Sequence, residues 1–492
     1  MSTSRAGKIL AEFLVSSKQK YLSSLKSLQK ASKNDWAVVM GNESGDLDTI
    51  ACAIAYAYHQ THHLHKPTIP LIRVHRKDLR LRAENIYALS LAGVNEPDNQ
   101  LLLLSDIPEG KWSQRDFALV DHNRLAPEFD SEDGDGERAR VVAVIDHHED
   151  EGLYKDADPR LISPTGSCAS QVAAYILDNA PGHVDGGHPI PPELYTLLLS
   201  AILIDTNLKP ISNGGKATAL DFHAAAILAP HAVYPEEVPD TDVKSMSNPF
   251  LELKPKTSLL QLTTSQSPSP SQELDSIVQL LRTSSPLSAL SGALSSKKFD
   301  VSHLSVSELL RRDYKEYDFA VEIPEEHSDK ISVKAGLSTV PVGLTKWAGG
   351  NADEEGRLDL LLSESATYMS ERGISVLGVL TTFRKEKRKN GTKGKGMREM
   401  VWLIRTDLPS PSVADALAQR IFTTFEANEE IAVKRHKKFK QYTKPSHSAQ
   451  DDTPHARHDN LIVKVYKQGN ANATRKATAP VLRRALDCGA NA

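Results

Sequence analysis

Residues 36–48 read WAVVMGNESGDLD, and this junction constrains the fold more than any other part of the chain. Trp36 to Met40 is short, apolar and rich in β-forming residues, which predicts a buried strand of an α/β sheet. The run stops at Gly41, and Asn42, Glu43, Ser44, Asp46 and Asp48 follow at once. Ile50 to Tyr58 is Ala-rich and apolar, which predicts a helix. Two aspartates two residues apart therefore sit on a turn at the carboxyl end of a strand, the edge where open α/β sheets bind ligands. On an extended turn they point to different sides, an arrangement suited to two cations. Either could instead cap the helix that begins near Thr49, since Asp is a favoured N-cap.

The same pattern recurs downstream. Phe117 to Val120 reads as a strand ending in Asp121-His122-Asn123, and Arg140 to Ile145 as a strand ending in Asp146-His147-His148. Glu193 to Ile204 reads as a buried helix running into Asp205-Thr206-Asn207. Pro70 to His75 and Leu101 to Leu104 are further strand candidates; Arg80 to Ala92 and Ser167 to Asn179 are helical. Repeated βα units with short turns predict a parallel sheet. A lone Asp at a strand end is an ordinary turn residue. Several such ends together, carrying carboxylate and imidazole, suit Mg²⁺, Mn²⁺, Co²⁺ or Zn²⁺. A pair of such ions can clamp the attacking and leaving oxygens of phosphoryl hydrolysis.

At 492 residues the chain is long enough for two or three domains. No apolar run is long enough to span a bilayer. The formal net charge of -4 gives no overall attraction to polyanions, so such binding needs a local basic cluster. Cys52, Cys168 and Cys488 are an odd, sparse set that points to a reducing compartment, here the cytoplasm. Leu10, Leu14, Tyr21, Leu25 and Leu28 recur at helical spacing and predict an amphipathic first helix packed on the body. A mitochondrial presequence is the rival reading of Arg5, Lys8, Lys18 and Lys20.

The expected domains are 1–234, binding metal; 235–272, a Pro/Ser-rich linker or insertion; and 273–492, a second, smaller α/β domain closing over the cleft. In the last, helices are expected near Glu273 to Leu281 and Ser305 to Tyr317, and strands at Lys334 to Val342, Ser375 to Thr382 and Glu399 to Ile404. Arg384 to Arg398 reads as a basic hairpin tip and Val433 to Lys440 as a second basic run on a solvated helix face. Asp130 to Glu137 is an acidic loop without the EF-hand spacing. Cys168, in GSCAS, is not a phosphatase cysteine, because Ala174 stands where a phosphate-cradling arginine would be needed. The helix start there could meet a phosphate through its amides or be a plain cap. His59 to His65 reads as a helix end at the surface.

In order, GNESGDLD, VDHN, DHHED and LIDTN resemble the four motifs of the DHH phosphoesterase superfamily. RRDYKEY (Arg311 to Tyr317), GLSTV (Gly336 to Val340) and TRKATAP (Thr474 to Pro480) resemble the second type of DHH-associated domain. That domain accompanies manganese-dependent family II pyrophosphatases, prune-type proteins and eukaryotic exopolyphosphatases. GNES, in place of a His-containing first motif, is similar to the fungal exopolyphosphatases. The resemblance implies a monomeric, metal-dependent exopolyphosphatase that releases terminal phosphate from inorganic polyphosphate, with no nucleic-acid or membrane partner. It implies two divalent cations, Mg²⁺ or Mn²⁺, with Co²⁺ as a further candidate. Asp46 and Asp48 would bind separate ions, Asp121 would bridge them, and His147 and Asp205 would be further ligands. Asp146 would support the site, His148 would sit near the substrate or nucleophile, and His122 would orient its neighbours. Lys315, Arg475 and Lys476 would grip phosphate, the bland alternative being solvated charge. Asn42 departs from the pyrophosphatase pattern, where a ligand histidine is expected. The alternative activity is hydrolysis of pyrophosphate, nucleoside polyphosphates or cyclic nucleotides. A DHH nuclease would carry a GGGH signature that is missing here, and a non-catalytic scaffold is opposed by the intact aspartates.

Overall fold

The computed structural model describes residues 9–27, 36–107, 116–130, 138–179, 190–251, 258–264, 272–322, 330–347, 358–385, 394–442 and 456–487. The chain divides into two compact units, residues 1–298 and 299–492.

The first unit is built on six strands: β1 (Ala37–Met40), β2 (Thr68–Ile72), β3 (Leu102–Leu103), β4 (Asp116–Val120), β5 (Arg140–Asp146) and β6 (Arg160–Ile162). Their order is β3-β2-β1-β4-β5-β6, and every pairing is parallel. The chain starts in the middle, winds outward to β3, then returns to β4 on the other side of β1. The strand order therefore reverses between β1 and β4, the kind of switch point at whose carboxyl ends open α/β sheets bind ligands.

Side chains alternate across the sheet with the period of two that a pleat imposes. Val39, Ile72, Ala118, Val120 and Ile145 face one buried layer, and Val38, Met40, Leu71, Phe117 and Leu119 face another. Both faces are covered, as a parallel sheet requires. The first layer holds α2 (Leu47–His62), α4 (Cys168–Asn179), α5 (Pro192–Thr206) and α6 (Ala219–Leu228); α1 (Ile9–Ser27) adds Leu10 and Leu14 to it and Tyr21 to the other. In α2 the run Ile50–Ala57 is buried on every side, and its small Ala and Cys side chains permit close packing. In α5 each fully buried Leu contributes about 2 kcal/mol from apolar burial. Among the described residues no helix is long and apolar enough to cross a membrane.

Several sequence expectations shift here. The predicted helix at Arg80–Ala92 is a 3₁₀ turn over Arg76–Leu81 followed by α3 (Ala83–Leu91). Strand β6 had no signal beyond three residues. The segment expected as a linker at 235–272 contains α7 (Asp240–Leu251), whose Met246 and Phe250 are buried in the first unit. The helix expected to open the second domain is α8 (Gln272–Thr283), and its Ile277 and Leu281 join the same core. The next helix, α9 (Ser285–Phe299), does likewise through Leu287, Leu290 and Leu294. The unit boundary thus falls at residue 298 rather than 272, because amphipathic spacing within the Pro/Ser texture outweighs composition. Residues 265–271 of the Pro/Ser stretch and 131–137 of the acidic loop lie outside the described residues.

The second unit is a mixed sheet of β7 (Tyr314–Val321), β8 (Ile331–Val340), β9 (Val376–Thr381), β11 (Gly396–Arg405), β14 (Leu461–Gln468) and β12 (Val433–Arg435), with β10 (Phe383–Arg384) and β13 (Ala456–His458) at its margins. Its spatial order is β12-β14-β11-β9-β8-β7, with only β8 and β9 parallel among these neighbours. One face packs α10 (Val306–Arg312) and α11 (Asp359–Arg372); the other packs α12 (Pro411–Glu426) and α13 (Arg475–Leu486). The helix expected over Ser305–Tyr317 stops at Arg312, and Lys315 lies on β7. The alternation Lys315, Tyr317, Phe319 is a strand pattern that the helical reading overlooked. Phe383–Arg384 does pair with Gly396–Met397 as a hairpin, though 386–393 lie outside the described residues. The run expected as a helix face begins with the three-residue edge strand β12 (Val433–Arg435), followed by the buried His436, and ends at the 3₁₀ turn Lys440–Tyr442.

Candidate metal centre at the carboxyl edge

The turn after β1 is shaped by two glycines. A Cβ on Gly41 would lie 2.2 Å from Thr49 Cγ2, and Gly45 has a φ of +56° that favours glycine. The turn is braced from behind: Arg82 Nε donates to the Ser44 carbonyl at 3.1 Å, and Asn85 Nδ2 to the Gly45 carbonyl at 2.8 Å. Asp46 is the N-cap of α2, its Oδ1 accepting the Thr49 N–H at 3.1 Å. The capping reading of the sequence therefore holds for Asp46, whose Oδ2 also accepts the Ser44 hydroxyl.

Asp48 is the second residue of the same helix, in its first turn, and is 1% exposed. Its carboxylate accepts the Ser167 hydroxyl at 2.9 Å and the Cys168 and Ala169 N–H groups at 2.8 Å each. The start of α4 thus meets an anion, and that anion is the Asp48 side chain. Asp221 clamps the turn before it, accepting from the Gly166 and Ser167 N–H groups and the Ser170 and Thr218 hydroxyls. Burial pushes the Cys168 thiol up to about 12, in keeping with a structural cysteine.

Asp121 directly follows β4 with a φ of 60°, a left-handed conformation that Asp tolerates better than most residues. Its Oδ2 receives the Asn42 amide at 2.8 Å and the Thr49 hydroxyl at 2.6 Å. Its Oδ1 faces His147 Nε2 at 3.3 Å and His148 Nδ1 at 3.8 Å. His147 Nδ1 bonds the Thr165 carbonyl at 3.1 Å, which fixes the tautomer and turns the Nε2 lone pair toward Asp121. His148 Nδ1 bonds Asp146 Oδ1 at 2.7 Å. Asp146 is fully buried beneath it and also accepts the His147 and His148 N–H groups and the Asn123 amide. Burial works to raise this carboxyl, but His148 and Asn123 outweigh it and hold it at about 2. His122 turns away, its Nδ1 bonding the Val120 carbonyl at 3.0 Å.

Asp121, His147 and His148 each offer a ligand atom, all within 4.8 Å of one another. Burial pushes Asp48 well above the carboxylate range, and the negative charges of Asp121, Asp205 and Asp46 push it further. Asp205, in the last turn of α5, is also pushed up by burial and by Asp46, against the pull of Lys298, Lys216 and His147. Crowded carboxylates whose charged forms are penalised are what a divalent cation relieves. Together with the oriented His147 ring, the donor set fits hard or borderline divalent ions.

Thr49, Ser167, Asn123, Asp221, Arg82 and Asn85 were not singled out as site residues. Their signal was a polar side chain inside or beside an otherwise apolar element.

A prediction follows from these carboxyls. Burial and mutual repulsion raise the Asp48 and Asp205 carboxyls, and a cation needs their charged forms, so Mn²⁺ affinity should fall, with uptake of protons, as pH is lowered into the range where they titrate. Calorimetry in buffers of different ionisation enthalpy would register the exchanged protons. A pH-independent affinity would contradict the placement of the ions among these groups.

In the second unit, Arg475 is the first residue of α13, and its Nη1 bonds the Asp313 carbonyl at 3.0 Å and Asp313 Oδ1 at 2.9 Å. That contact sets the start of α13, with Lys476 in its first turn, beside the start of β7, which carries Lys315. The three basic residues expected to act together therefore share one region of this unit.

Residues 36–202 match the model of the DHH family, N-terminal domain, and residues 292–485 match that of the DHHA2 domain. A Schizosaccharomyces pombe protein named "Putative exopolyphosphatase" is 39% identical over 189 residues, 36% of this chain and 47% of that protein. "Exopolyphosphatase PRUNE1" of Mus musculus is 32% identical over 37% of this chain and 38% of its own length. The "Manganese-dependent inorganic pyrophosphatase" of Methanocaldococcus jannaschii is 32% identical over 35% of this chain and 48% of its own. The chain spans about half or less of the length of these curated relatives.

Proposed function

Since the chain carries a DHH-family N-terminal domain followed by a DHHA2 domain, we propose that it is a metal-dependent exopolyphosphatase, removing terminal phosphate from inorganic polyphosphate. The observation that carries this reading is the meeting of Asp121, His147 and His148 at the switch point of the sheet, beside the crowded carboxylates of Asp46, Asp48 and Asp205. Asp46, Asp48, Asp121, His147 and Asp205 would hold two divalent cations, Mg²⁺ or Mn²⁺. When bound, such ions polarise phosphoryl oxygens and neutralise charge developing on the leaving phosphate. Asp121 has one oxygen tied to Asn42 and Thr49 and presents the other to the ligand cluster. His148 has its Nδ1 locked on Asp146 and its side chain 32% exposed, so it can hold or pass a proton through Nε2. Lys315, Arg475 and Lys476 would bind the substrate's phosphates, Arg475 with the fork that suits them.

Phosphate release from polyphosphates of defined length and from pyrophosphate, with Mg²⁺, Mn²⁺ and Co²⁺ in turn, tests the proposal. Faster release from polyphosphate supports it, and exclusive use of pyrophosphate would replace it with the pyrophosphatase reading. No release with any of these would refute it.

Asn42 carries a further prediction. Its Nδ2 holds Asp121, while its Oδ1 accepts the Ser44 N–H at 2.9 Å. Asn42→Ala should cost roughly 10–100-fold in metal affinity through misorientation of Asp121. Asn42→His should instead favour Mn²⁺ or Co²⁺ over Mg²⁺, because imidazole suits the later ions. Metal titrations of both variants read this; an unchanged Mn²⁺/Mg²⁺ preference in Asn42→His would place residue 42 away from the ions.

A further inference from the structure

Arg398 is the third residue of β11, within the basic stretch noted in the sequence, and the function proposed so far gives it no role. It alternates with Met400 and Trp402, which lie in the core under α12 and α13. Lys315 alternates with Tyr317 and Phe319 on the same face of β7. The pairings along β7-β8-β9-β11 run β7 and β11 in the same direction, so both strands begin at the same end of the sheet. Arg398 Nε donates to the Ala471 carbonyl at 2.9 Å, in the turn that leads into α13. Four residues on, Arg475 bonds Asp313 just before β7, a chain span of at most about 14 Å. The first turn of α13, with Thr474 and Lys476, is thus flanked by Arg398 on one side and Lys315 on the other.

Charge balance and burial together mark Arg398. In this unit Arg372, Arg405, Arg457 and Arg475 each face a carboxylate. Among the described residues Arg398 has only the neutral Ala471 carbonyl. Burial accordingly pulls its guanidinium below its ordinary value. A half-buried cation without a counter-charge is costly, and a bound anion offsets that cost.

We propose that Arg398 binds a phosphate of a linear polyphosphate beyond those held by Arg475 and Lys476, so that this face of the second unit favours longer chains over pyrophosphate. The inference rests on the polyphosphate reading above. Its test is a binding titration of the full chain with tripolyphosphate and with orthophosphate, without added divalent ion. Arg398→Gln should weaken tripolyphosphate binding by about tenfold or more and orthophosphate binding by less than about twofold. Arg398→Lys, which keeps the charge but not the planar fork, should retain most of the tripolyphosphate affinity. Equal affinities in wild type and Arg398→Gln would overturn the proposal. So would equal losses in the Lys and Gln variants, or loss of the folded circular-dichroism signal in either, since both assign Arg398 to holding the Ala471 turn. Turnover of the wild type is measured in parallel. Absence of phosphate release there would refute the exopolyphosphatase reading, while the binding comparison still decides on Arg398.

Discussion

Asp121→Asn is expected to reduce phosphate release by at least about 10³-fold, the equivalent of several kcal/mol of charge stabilisation at 1.4 kcal/mol per decade. The substitution is chosen for what it leaves in place. Asn is one of the few residues that accepts the left-handed backbone of this position, where φ is 60°. Its amide oxygen can still accept from Asn42 Nδ2 and the Thr49 hydroxyl, so the β4 turn keeps its internal bonds. What is lost is the negative charge, and the group turned toward His147 Nε2 becomes a donor instead of a ligand. A fold-neutral variant with near-normal turnover at saturating metal would sink the assignment of Asp121 to the cations. Circular dichroism on the same sample separates loss of chemistry from loss of fold.

Arg475→Ala should lower kcat/KM on polyphosphate by roughly 10–100-fold, the worth of a charge-assisted hydrogen bond of about 1.5–3 kcal/mol. Because Arg475 is also tied to Asp313, a loss alone would not distinguish substrate binding from scaffolding. Asp313→Asn supplies the contrast. It removes the ion pair but leaves the guanidinium and the Asp313 carbonyl that accepts from Nη1 at 3.0 Å. If Arg475 serves phosphate, Asp313→Asn should stay within a few-fold of wild type while Arg475→Ala falls; equal losses would make the pair structural. Arg475→Lys should recover only part of the activity, since an ammonium lacks the bidentate fork.

The parallel sheet was legible because its strands are short apolar runs that stop abruptly at polar turns. β1, β4 and β5 could be placed within a residue or two from Ala37–Met40, Asp116–Val120 and Arg140–Asp146 alone. The ligand candidates were legible for the same reason, since each lies at one end of an element, Asp46 and Asp48 at the start of α2 and the others at or just past the end of β4, β5 or α5. The positions that hold them were not. Thr49 follows Asp48 in an otherwise apolar helix, and only the approach of β4 makes it a donor to Asp121. Asp221 lies 55 residues beyond Gly166 in sequence, yet it clamps the turn that presents its amides to Asp48. Long-range hydrogen bonds of this kind leave no periodic signal. The second unit was harder because its signals conflict. Arg311 to Tyr317 has helical spacing up to Arg312 and strand alternation after it, and the break falls at Asp313, whose non-helical backbone ends the helix. The unit boundary was misplaced because α7 and α8 are amphipathic helices set in Pro- and Ser-rich sequence.

We propose that two divalent cations would be held at the carboxyl edge of the first unit by Asp46, Asp48, Asp121, His147 and Asp205. Equilibrium dialysis of the metal-stripped full chain against Mn²⁺, counting bound ions by elemental analysis, tests it most directly. Wild type should bind two Mn²⁺ per chain at this site, with at least one lost in Asp121→Asn. Binding of one ion or none by the wild type, or an unchanged count in the folded Asp121→Asn variant, would contradict it.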